Sequence, residues 1–146
     1  MALEYSLKIG GSTQYAALAE RLCVVPEYRQ VAGGVIAPGL QVHIGQPGPL
    51  EIQMIEEEFG FTPTASVTFR RDKDAEPVAV RTRLLRGCIS LLEGGTDDTV
   101  LLFNGETVIL HRRNGRLVLN PVKEFWTDEI LTVIPTPHEF KSIRSI

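Results

Sequence analysis

The chain has 146 residues, enough for one domain that buries roughly 70% of its unfolded surface without a metal or disulfides. Its 43% hydrophobic and 23% charged content is ordinary globular usage. Fifteen basic against eighteen acidic residues leave a net charge of −3, which argues against the basic footprint of a nucleic-acid binder. Nothing approaches the ~18 consecutive apolar residues of a membrane span. Met1 to Tyr5 lacks signal-peptide blocks, and no lipidation motif is present, so a cytoplasmic protein is expected.

The opening run alternates: Leu3, Tyr5, Leu7 and Ile9 on one side, Glu4, Ser6 and Lys8 on the other, a strand with one buried and one wet face. Gly10-Gly11 ends it, and Ser12 can cap a helix whose stripe is Tyr15, Leu18, Ala19, Leu22 and Cys23, stopped by Pro26. Residues 24–34 are left open, with Gly33-Gly34 as a turn. Leu40, Val42 and Ile44 alternate with Gln41 and His43 as a further strand. Gln46-Pro47-Gly48-Pro49 reads as a turn, and the alternation of Leu50, Ile52 and Met54 then predicts a hairpin partner. Glu56, Glu57 and Glu58 with Gly60 read as a solvated loop, and Val67 and Phe69 mark the next strand. Glu76-Pro77 opens a second helix, with Val80, Leu84, Leu85, Cys88, Leu91 and Leu92 as its stripe and Gly94-Gly95 as its end. Arg81, Arg83 and Arg86 leave its other faces, either as solvated charge or toward a phosphate or acidic partner.

Asn-Gly at 104–105 and at 114–115 predicts a three-stranded meander with two-residue turns. That places Phe103 opposite Glu106, Leu101 opposite Val108, and Leu110 opposite Leu119. Leu101, Phe103, Val108, Leu110, Leu117 and Leu119 then form a core face. The other face mixes Thr107, His111, Arg113, Arg116 and Asn120 with Val100, Leu102, Ile109 and Val118. Phe125 and Trp126 dock in a short segment after Pro121, and the tail from about residue 135 is left open as irregular. The fold class is α+β: a single domain over 1–146, mainly antiparallel sheet, two principal amphipathic helices and a C-terminal three-stranded meander.

The residues carry no recognisable reaction. His43, His111 and His138 lie on separate elements without metal-ligand spacing, and Cys23 and Cys88 fit buried helix stripes better than a redox pair. No nucleophile elbow or Walker-type phosphate loop occurs. No cofactor, metal or catalytic activity is expected. The acidic groups, Glu56 to Glu58 and Asp97-Asp98, are either solvated loops or a docking patch for a basic partner.

Three stretches carry a family likeness: Met1 to Leu7, Pro63 to Lys73, and the Asn104-Gly105 hairpin running to Trp126. They resemble the Sit immunity proteins, which protect cells against lipoprotein toxins exchanged between sibling myxobacteria and have relatives in actinobacteria. The likeness covers the first strand and about residues 60 to 126; it is weak over 24–58 and absent from the tail. It implies a small cytoplasmic, non-enzymatic protein that binds a cognate toxin and neutralises it by stoichiometric occlusion. No catalytic or toxin-contact positions transfer with it. Glu56, Glu57, Glu58, Asp97 and Asp98 are the candidate contacts, and the divergent middle segment suits a specificity surface. Two other classes stay open: a small-ligand or nucleotide-binding domain built on the mixed meander face with Arg81, Arg83 and Arg86, and a structural subunit pairing through an exposed strand.

Overall fold

Strand β1 (Leu3–Gly10) is the centre of the molecule because it pairs on both edges, with β5 (Pro63–Arg71) and with β6 (Thr99–Phe103). The computed structural model describes residues 3–93 and 95–146. Among the described residues, nine strands form one sheet in the order β2-β3-β4-β5-β1-β6-β7-β8-β9. Every pairing is antiparallel except that of β8 (Arg116–Leu119) with β9 (Glu139–Phe140). The mainly antiparallel α+β class holds, and the tail contributes an edge strand.

Period two puts Tyr5, Leu7 and Ile9 on one face of β1, where they line up with Phe69, Val67 and Ala65 of β5. That face is covered by α1 (Leu18–Cys23), α3 (Pro77–Leu92) and α4 (Asp128–Leu131), and it forms the main core. A 3-10 turn, Tyr15–Ala17, precedes α1; its N-cap position is Gln14 rather than Ser12. Helix α3 starts as expected: the Glu76 carboxylate accepts the Val78 and Ala79 amides, which hold it below the usual carboxylate range. Its last residue is Leu92, capped by Glu93, and the Gly94 part of the expected stop lies outside the described residues. Both cysteines are free and pack in this core, and burial pushes the Cys88 thiol up.

The expected hairpin across 46–54 is corrected. Strand β4 (Leu40–Gly45) pairs instead with the preceding β3 (Gly34–Ala37), which pairs in turn with β2 (Arg29–Val31). Pro49–Phe59 is helix α2, with Pro49 in its first turn and Gly48 as N-cap. Alternation of only three apolar residues was outweighed by helical spacing at Ile52, Ile55 and Phe59. Ile55 is fully buried while Leu50 is 81% exposed. Glu56, Glu57 and Glu58 therefore lie on a helix rather than in a loop.

The meander forms with one local correction. Glu106 N–H bonds the Phe103 carbonyl at 3.1 Å, with Asn104 and Gly105 at φ 50° and 75°, so a turn forms at Asn-Gly, but the expected Phe103–Glu106 strand pair does not, and three residues connect the strands. The ladder nevertheless pairs Phe103 with Thr107 and Leu102 with Val108, then shifts at a bulge so that Leu101 meets Leu110. The extra residue in β7 (Thr107–Arg113) sends Ile109 to the main core and Val108 to the opposite face. The second turn keeps its expected register, Leu110 opposite Leu119.

Candidate functional site

The sheet face turned away from α1 and α3 carries the polar residues, and one row spans seven strands. In order it reads Gly45, Ser66, Lys8, Val100, His111, Val118 and Glu139. Helix α2 lies over the middle of this row. Ile55 packs on Val100, Leu102 and Val108 with Phe61, forming a second small core. Lys8, only 5% exposed, sits beneath the helix, ion-paired to Glu51 and donating to Ser66 Oγ at 2.7 Å. The strand pattern places Lys8 on a wet face, and α2 is what covers it.

A serine beside a lysine amine is one form of nucleophile–base pair. Here Lys8 is the donor to Ser66 and is ion-paired to Glu51, and an ammonium has no lone pair with which to accept the serine proton. The trio works as a latch between α2 and β1–β5. Among the described residues, no group of three or more His, Cys, Asp or Glu is placed to hold a metal ion, and no helix is long and apolar enough to cross a membrane.

Helix α2 divides the face into two grooves. On one side a polar groove of about 420 Å³ is lined by Glu4, Ser6, His43, Glu51, Ser66 and Thr68. On the other a groove of about 480 Å³ is lined by His111, Arg113, Arg116, Glu139, Lys141 and Arg144. The sequence brought His111, Arg113 and Arg116 together on the mixed meander face. Lys141 and Arg144 were out of its reach, because a long-range crossing of the tail delivers them. That crossing is held by Lys141 N–H to the Leu119 carbonyl (3.0 Å), Ile143 N–H to Asn120 Oδ1 (3.1 Å) and Ile146 N–H to the Glu106 carbonyl (3.0 Å).

The candidate acidic residues separate into two places. Glu56, Glu57 and Glu58 are all exposed on the C-terminal half of α2. Successive helix residues turn by about 100°, so the three fan around the outer surface of the ridge between the grooves. Glu56 accepts the Thr62 hydroxyl (2.6 Å) and Glu57 the Gln53 amide (3.0 Å), both local contacts. Asp97 and Asp98 lie before β6 and are turned inward. Asp97 accepts from Thr13 at 2.6 Å; Asp98 accepts the Asn114 amide at 3.0 Å and pairs with Arg113 at 3.4 Å. Arg113 also stacks over Phe61, 5.7 Å from the ring centre, and so joins this loop to the foot of α2.

Arg81, Arg83 and Arg86 are on α3, behind the sheet, and do not gather with the meander's basic residues. Arg83 binds Glu27 and the Pro38 carbonyl, and Arg81 stacks over Phe125 at 5.4 Å. The sheet edges are short, three residues in β2 and two in β9, a common means of blunting edge pairing.

No curated protein and no solved structure gives a significant match to the chain. A family model described as SitI3-like matches residues 3–130. The matched span includes 24–58, where the likeness in short motifs is weak, and stops short of the tail. It takes in β1 to β8, the α2 ridge and both of its anchors, and on that span the chain belongs to the SitI3-like family.

Proposed function

We propose that the chain is an immunity protein that binds a cognate toxin and neutralises it by stoichiometric occlusion, without catalysis, in the cytoplasm. Membership of the SitI3-like family is the observation that carries this reading. The α2 ridge is its contact surface: Glu56, Glu57 and Glu58 project from a helix that stands on the sheet and is fixed from below by Lys8 and Ile55. Three adjacent carboxylates suit a basic partner surface, because complementary charge steers encounter and raises association rates. Asp97 and Asp98 hold their loop by internal bonds and serve the contact by fixing Arg113 at the foot of the ridge.

The test is co-purification with the toxin-like product of the adjacent gene, followed by association kinetics of the variant Glu56→Lys/Glu57→Lys/Glu58→Lys. A one-to-one complex is expected, with association slowed about tenfold or more at low salt and the difference shrinking as salt rises. Failure to form any complex removes the immunity reading. A complex whose association rate is unchanged by the triple reversal keeps that reading and moves the contact off α2.

A further inference from the structure

The groove between β7, β8 and the C-terminal tail concentrates positive charge in a chain whose net charge is −3. Arg113, Arg116, Lys141 and Arg144 line it against the single carboxylate of Glu139. Arg116 is paired to Glu139 at 3.0 Å and Arg113 to Asp98 at 3.4 Å. Lys141 and Arg144 have no ion pair among the described residues. Scattered surface cations would be unremarkable. These come from two strands and a returning tail pinned by main-chain bonds, and they converge on one concavity.

A second observation points the same way. Four buried side-chain nitrogens lack a hydrogen-bond partner among the described residues, and two of them, His111 Nδ1 and Arg113 Nε, belong to side chains lining this groove. A buried polar atom left unsatisfied is costly, so such a side chain gains by turning toward a ligand that supplies the missing partner. Arg113 Nε already faces Asp98 Oδ2 at 3.4 Å, so its deficit is partly met and His111 Nδ1 is the more telling of the two. Burial and the neighbouring Arg113 charge hold His111 below its ordinary pKa, leaving a neutral ring that can donate or accept. Val118 and Ile143 supply apolar surface beside the charges. The volume, about 480 Å³, is that of a small-molecule site.

We infer that this groove is a binding site for a compact, multiply charged small anion, a phosphate ester or polycarboxylate held by Arg113, Arg116, Lys141 and Arg144 with His111 at its floor. The guanidinium forks supply paired donors to either oxyanion, and Lys141 adds a point charge. The site is separate from the outer surface of α2 and does not depend on the toxin reading.

The experiment is titration calorimetry of the full chain with pyrophosphate, ATP and citrate at low salt, repeated on Lys141→Gln/Arg144→Gln and on Arg116→Gln. One-to-one binding is expected for at least one of the three anions. Preference for pyrophosphate and ATP assigns a phosphate ester, and preference for citrate a polycarboxylate. The double variant should bind at least tenfold more weakly. Arg116→Gln, altering a side chain that is 75% exposed, keeps the test valid if the tail variant fails to fold. No saturable binding of any anion at millimolar concentration overturns the inference. So does binding that a folded variant leaves unchanged.

Discussion

Lys8 offers a sharp test of how α2 is held. Its side chain is 6% exposed and that of its partner Glu51 is 45% exposed, so the two ends of one ion pair stand in different solvents. Removing Glu51 strands a buried cation, whereas removing Lys8 leaves a carboxylate that water can reach. Breaking a buried pair by deleting one partner is destabilising by roughly 3–5 kcal/mol. Lys8 keeps Ser66 Oγ as an acceptor at 2.7 Å, so Glu51→Ala is expected near the lower end, about 3 kcal/mol. Lys8→Met preserves the apolar stem and should be destabilising by only about 1 kcal/mol, chiefly through the lost Ser66 bond. The double variant Lys8→Met/Glu51→Ala should then be about 2 kcal/mol more stable than Glu51→Ala alone, since no stranded charge remains. Glu51 also reaches the Gly48 amide at 3.5 Å, but that weak cap is lost equally in the single and double variants and cancels. In a chain of this size 2 kcal/mol is roughly 4–8 °C in Tm. Urea denaturation with constant m-values measures all three. If the double variant is no more stable than Glu51→Ala, the Lys8 charge is not the quantity that Glu51 compensates.

Gly87 lies in the interior of α3, where alanine would ordinarily gain about 1 kcal/mol of helix propensity. A Cβ there would meet Tyr28 Oη at 2.6 Å and Leu22 Cδ1 at 2.9 Å. Gly87→Ala is therefore expected to displace Tyr28, break its 2.7 Å bond to the Arg83 carbonyl and destabilise the fold by about 1–3 kcal/mol; a gain in denaturation midpoint would refute the close approach. His111 should make stability depend on pH. Its folded pKa is lowered by burial and by Arg113, so below about pH 6.5 the unfolded chain takes up the proton first, and stability falls as pH falls. Thermal unfolding of wild type and His111→Gln between pH 5 and 7.5 should show a shallower acid slope in the variant; equal slopes would remove His111 as the cause.

Much of the main core was legible because its signals are local and repetitive. Tyr5, Leu7 and Ile9 obey period two, Val80 to Leu92 obey the helical stripe, and both Asn-Gly pairs adopt the positive φ their hairpins require. The failures have identifiable causes. A bulge cannot be read from turn residues alone, and its single extra residue exchanged Val108 and Ile109 between faces. The segment 49–59 offered both an alternation of three residues and a helical spacing. Proline in the first turn and the burial of Ile55 decided for the helix. The grooves were only half visible, since β7 and β8 supply His111, Arg113 and Arg116 while a parallel edge strand and a returning tail supply Lys141 and Arg144.

The two sets of acidic residues differ in what a substitution would disturb, and that difference bears on which can serve as a partner surface. Asp97 and Asp98 tie their loop to Thr13, Asn114 and Arg113, so changing either alters the joint between β6 and β7 before it alters any contact. Among the described residues, Glu56, Glu57 and Glu58 make no bond beyond their own helix and the turn that follows it. The helix beneath them is secured by other residues: Ile55 in the small core and Glu51 on Lys8. Its outer residues can therefore take many charges without unfolding the sheet. A protein that must match one partner and reject similar ones needs surface positions whose identity is uncoupled from stability. In this chain that condition is met on the α2 ridge and not in the Asp97-Asp98 loop, and for that physical reason the ridge is the first place to test for the proposed toxin contact.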